Sequence, residues 1–154
     1  MLENPARLIY GLIIVAALLD AESAVKETYP ETVAGVLVAV ALYWLAHAYA
    51  DFAAHRLTRR EGLKPKDFGP AFLREAGIVA GAAIPLLVLL LSWATGASLD
   101  AAVNRGIFTS AALLLLIELV AGLRAHLAAV ALAVQTLFGA AMGVLVIALK
   151  LVLH

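Results

Sequence analysis

Apolar residues in this chain fall into five long runs, separated by short stretches that hold most of the charge. A helix needs about 20 mainly apolar residues to cross a bilayer, within a range of about 17–25. Residues 8–25, 32–56, 72–95, 103–123 and 127–153 meet or approach that requirement. The pattern predicts an all-α fold: a polytopic membrane helix bundle of five transmembrane helices, forming a single domain over residues 1–154. The first run is weakened near its end by Asp20 and Glu22, the third contains Pro85, and the fourth contains Glu118. Only Arg124, Ala125 and His126 separate the fourth run from the fifth, so these two are expected to form a tight hairpin. Four spans plus a re-entrant segment is the alternative arrangement.

Basic residues in short loops favour the cytoplasmic side and so orient the bundle. With the N-terminus inside, Arg7, Arg56, Arg59, Arg60, Lys64, Lys66, Arg74 and Arg124 lie inside. Lys26, Arg105 and Lys150 lie outside, which accounts for all eleven Lys and Arg. The bias predicts an N-in, C-out topology. The opening "MLENPARLIYGLIIVAALLDAESA" is similar to a signal peptide, with Ala-Glu-Ser-Ala as a small-residue cleavage site. However, Glu3 precedes the lone Arg7 and the run passes into acidic residues, so a retained span is expected. The loop "RLTRREGLKPKDFGP" sets topology and offers a basic patch to anionic lipid heads.

Composition agrees with a membrane protein. Hydrophobic residues make up 64% of the 154 and charged residues 14%, with a mean hydropathy of +1.00. Soluble domains average about 45–50% apolar and about 25% charged. The expected partner is the lipid bilayer. Formal net charge is zero, so nothing points to nucleic acid. The absence of cysteine excludes disulfides, thiol chemistry and Cys-based zinc sites. No serine–histidine or phosphate-cradling motif is present, and an enzymatic role has no support from motifs.

The candidate chemistry centres on "YWLAHAYADFAAHRLTRR", residues 43–60. Tyr43, His47, Asp51 and His55 recur every four residues, which stacks them on one helical face. Ionisable groups inside a span cost about 2.5–3.5 kcal/mol at its centre and usually face the bundle interior, where they mark pathways or sites. By helical rise, Asp51 lies about 7 Å and His47 about 13 Å inside Arg56. Glu118 lies about 9 Å inside Arg124, and Gln135 about 12 Å into the fifth span. Three helices therefore put polar groups at one level, and a His47–Glu118 or His47–Asp51 contact is expected. On the outer side, Asp20, Glu22, Glu27 and Glu31 form a candidate acidic mouth. Gly77 with Gly81, and Gly139 with Gly143, are small-xxx-small pairs that permit close helix packing or a homo-oligomer. Pro85 is expected to kink the third helix.

Against each of these stands a plainer role. His55 and Asp51 lie near the boundary, where polar side chains snorkel, and Glu118 serves equally well as an interhelical hydrogen bond.

The stretches "ALYWLAHAYADFAAHRL" and "GVLVIALKLVLH" resemble a group of small, Ala/Leu/Arg-rich integral membrane proteins of high-GC actinobacteria. That resemblance implies a multi-pass protein of a bacterial plasma membrane and supplies no mechanism. The H-x₃-D-x₃-H ladder also resembles histidine-box membrane metalloenzymes, which carry several such boxes and more spans. Three functions follow as expectations. The first is a small channel or transporter for protons or cations, with His47, Asp51 and Glu118, joined by Tyr43, His55 and Gln135, as its pathway and no cofactor. The second is a metal site of His47, Asp51, His55 and Glu118 for zinc, iron or manganese. On a straight helix, three residues at four-residue steps span about 12 Å, so only an adjacent pair plus Glu118 suits one ion. The third is a non-catalytic membrane subunit or assembly factor.

Overall fold

The computed structural model describes residues 5–25, 28–59 and 68–153. Among these, the chain is all-α with six helices. They are α1 (Pro5–Val25), α2 (Tyr29–Arg59), α3 (Phe68–Arg74), α4 (Ala76–Ala94), α5 (Leu99–Arg124) and α6 (Ala129–Leu153). Three segments are long and apolar enough to cross a membrane: Tyr29–His55, Ala76–Ala94 and Leu99–Arg124. Ala129–Leu145 is a shorter apolar stretch of α6. Loop residues 60–67, with most of the basic cluster, lie outside the described residues.

The third helix differs from the expected 72–95. The chain makes a short helix first and breaks at Glu75, and only then begins the long apolar one. Glu75 sits at φ −86°, ψ 0°. Its carboxylate is committed to a different helix (below), which fixes the elbow at this residue rather than at Phe72. Pro85 lies inside α4, where it is buried and removes one helical hydrogen-bond donor.

The two tight hairpins end their first helices in the same way. After α4, Gly96 at φ +76° donates to Trp93, and Ala97 donates back to the Ser92 carbonyl. After α5, His126 at φ +51° donates to Leu123, and Leu127 to Gly122. Both are Schellman closures, in which a left-handed residue lets the chain satisfy the last carbonyls of the helix. Ser98 then caps α5 by accepting from the Ala101 amide. Tyr29 ties α2 to this end: its hydroxyl donates to the Ala97 and Ser98 carbonyls, and its ring stacks on Trp93.

Helix α1 packs on α2, α4 and α5, while α6 lies mainly along α5. A core of Val15, Leu19, Val36, Val40, Leu86, Leu89, Val103 and Ile107 joins α1, α2, α4 and α5. In a bilayer, apolar burial between helices gains little over lipid, so association depends on close packing and polar contacts. The α1–α4 seam supplies the close packing. A Cβ on Gly81 would fall against the Leu8 carbonyl oxygen, and one on Gly11 against that of Ile78. A Cβ on Gly77 would lie 2.8 Å from the Cβ of Arg7. The second glycine pair lies along α5: Gly139 faces Glu118, and Gly143 faces Ala111. Both pairs thus face helices of the same chain.

Candidate functional site

A polar cleft of about 330 Å³ opens at the end of the bundle where α1 begins and α2 nears its end. Its lining includes Arg7 and Tyr10 of α1, His47 and Asp51 of α2, and Glu75 at the elbow before α4. Each position follows from its helix. Arg7 and Tyr10 are one turn apart on α1, and His47 and Asp51 one turn apart on α2. The elbow at Glu75 brings an acidic side chain into the angle between them.

Two ion pairs hold the cleft together. Arg7 Nη2 lies 2.7 Å from Glu75 Oε1, and the Glu75 residue is only 3% exposed. Arg74, the residue before it, reaches the other way and donates from Nη2 to Asp51 Oδ2 at 2.9 Å. Its Nε donates to the same oxygen at 3.3 Å. His55, largely exposed, places Nδ1 3.2 Å from Asp51 Oδ1 and 2.9 Å from the Asp51 carbonyl.

His47 is held differently. Its ring lies 5.3 Å from that of Tyr43 in a stacked arrangement and 5.7 Å from that of Tyr10 in a tilted one. Among the described residues it makes no ion pair, although it lines the cleft beside Asp51 and Glu75. The ladder of Tyr43, His47, Asp51 and His55 therefore divides: its upper half is aromatic contact, its lower half an ion-pair network.

Glu118 belongs to a separate place. Gln135 of α6 donates from Nε2 to Glu118 Oε2 at 2.8 Å and to the Glu118 carbonyl at 3.2 Å. The expected meeting of His47 with Glu118 does not occur: His47 contacts tyrosines, and Glu118 is turned to α6 over Gly139. The physical reason is the α5–α6 hairpin, which sets the two helices side by side and brings the Gln135 amide within hydrogen-bond reach of Glu118. Among the described residues, no three His, Asp or Glu side chains converge as a metal site would require. The four residues of the metal expectation are divided between two locations.

Two side chains of the candidate acidic mouth are described, those of Asp20 and Glu31. Asp20 is 2% exposed, because it continues the buried α1 stripe through Leu12, Ala16 and Leu19. Glu31 is exposed and accepts from the Thr28 hydroxyl. Glu27 and the side chain of Glu22 lie outside the described residues.

Three cleft residues carry more weight than the sequence pattern gives them. Arg7 and Arg74 read there as orientation signals, and Glu75 has no stated role. The available clue is the adjacent Arg74–Glu75 pair directly ahead of an apolar run, with a lone cation, Arg7, immediately before the first run. Compared with known proteins, the chain matches no family model, no curated protein and no solved structure. The fold and the cleft define an all-helical protein with at least three helices suited to a membrane.

Proposed function

We propose that this chain is a multi-pass protein of a bacterial plasma membrane that passes protons through the Arg7–His47–Glu75 cleft. In this reading α1, α2, α4, α5 and α6 are five spans, N-in and C-out, and the cleft opens to the cytoplasm. The observation that carries the proposal is the contrast between His47 and its neighbours. Asp51 and Glu75 are each held by an arginine, whereas among the described residues His47 lines the same cleft with ring contacts alone. Paired carboxylates leave little anionic capacity for a metal cation, which favours the proton over other cations. An imidazole at the wall of a polar cleft is the residue type suited to carrying one.

Beyond the cleft, the close α1–α4 seam and the apolar core oppose an open aqueous pore. The proposal is therefore an occluded transporter or narrow proton wire rather than a wide channel. Proton flux into proteoliposomes tests it, with loss expected in His47→Phe, which keeps an aromatic ring and removes the ring nitrogens.

Topology is tested separately. The chain has no native cysteine, so single cysteines report cleanly. A membrane-impermeant thiol reagent is expected to label Ala97→Cys from outside and His126→Cys only from inside. Labelling of both from one side would remove the five-span arrangement.

A second reading, a structural membrane subunit, is favoured by the Glu118–Gln135 bond and the filled glycine seams. It predicts no flux and a stable complex with another membrane protein.

A further inference from the structure

On the α1–α5 side of the bundle, an apolar groove of about 290 Å³ is lined by Pro5, Leu116, Ile117, Val120, Ala121 and Arg124. Five of these six residues are apolar. The sixth, Arg124, is the last residue of α5 and stands exposed at the groove's end. Among the described residues, Arg124 makes no ion pair and donates no hydrogen bond. Arg7 and Arg74, by contrast, are held by carboxylates, and Arg105 donates to the Ser92 hydroxyl. From Leu116 to Arg124, α5 rises about 12 Å, so the groove runs along the helix and ends at a cation. Within a bilayer, this shape suits a lipid chain beneath its headgroup.

We infer that this groove holds one acyl chain of an anionic phospholipid whose phosphate is bound by Arg124. Charge complementarity selects the occupant: a guanidinium with no partner among the described residues, at the mouth of an apolar slot, matches a phosphate joined to a hydrocarbon chain. The end of the bundle agrees as well, because Arg124 belongs to the Lys/Arg-rich side. Anionic lipids of the cytoplasmic leaflet attract basic residues there. The site is independent of the His47 cleft, so its test does not depend on proton flux.

The test is native mass spectrometry of the full chain, released from nanodiscs containing equal amounts of phosphatidylglycerol and phosphatidylcholine with matched acyl chains. The wild type is expected to retain one phosphatidylglycerol, preferred about fivefold over phosphatidylcholine, from a single surface-proximal charge. Arg124→Gln is expected to abolish that preference while leaving the protein folded. Val120→Trp, which fills the groove, is expected to reduce retention of both lipids. Glycerol phosphate, which has the headgroup chemistry without a chain, is expected not to compete. A wild type with no headgroup preference overturns the inference. So does an Arg124→Gln variant that keeps the preference, or efficient competition by glycerol phosphate.

Discussion

Arg74 and Glu75 are adjacent in sequence, yet their side chains hold different helices. Arg74 takes Asp51 of α2 at 2.9 Å, and Glu75 takes Arg7 of α1 at 2.7 Å. One elbow thereby fastens α1 and α2 to the head of α4 and sets the walls of the cleft.

The Arg7–Glu75 pair is the more protected of the two, and removing one partner strands the other. Glu75→Ala is expected to destabilise the protein by about 3 kcal/mol, in the range for breaking a buried pair. Replacing both with methionine is expected to cost much less, because no charge is left uncompensated. A double-mutant cycle on unfolding in detergent measures this. Single effects that simply add would show that the pair is not coupled.

Gly81 in the α1–α4 seam and Gly69 in α3 are expected to respond oppositely to an added methyl. Gly81→Ala is expected to cost about 2 kcal/mol or more, because the new methyl meets the Leu8 backbone rather than a movable side chain. Gly69 has nothing within 4 Å of its would-be Cβ. Gly69→Ala is therefore expected to be neutral or to stabilise α3 by up to about 1 kcal/mol. Thermal unfolding of the two variants side by side separates packing from a general intolerance of larger residues.

The helical class and the approximate course of the helices were legible in the sequence because apolar runs are a local property. The elbow at Glu75 was not, because it depends on Arg7, which lies 68 positions earlier in the chain. Partner choice among the half-buried polar groups failed for the same reason. Depth along a helix placed His47 and Glu118 at one level, but rotation about each helix axis decides what they face. That rotation turns Glu118 to Gln135 and His47 to Tyr10 and Tyr43. Asp20 shows the converse: an acidic residue near a helix end suggested a surface mouth, yet its stripe is the buried one.

The Glu118–Gln135 contact is expected to brace the α5–α6 hairpin. Gln135→Leu removes the amide that donates to the carboxylate and is expected to cost about 1–2 kcal/mol, near the upper end for hydrogen bonds between membrane helices. Glu118→Gln keeps an acceptor for that donor and is expected to cost roughly 0.5 kcal/mol or less. Equal losses in the two variants would show that the charge, rather than the hydrogen bond, holds the hairpin.

The central claim is that His47 carries protons through the cleft, and flux in proteoliposomes under an imposed potential tests it most directly. Wild type, His47→Phe and Glu118→Gln would be compared, each verified as folded and inserted. The account predicts potential-driven proton uptake in the wild type, at least a tenfold loss in His47→Phe, and near-wild-type uptake in Glu118→Gln. Uptake that survives His47→Phe, or a wild type no different from empty liposomes, would contradict it.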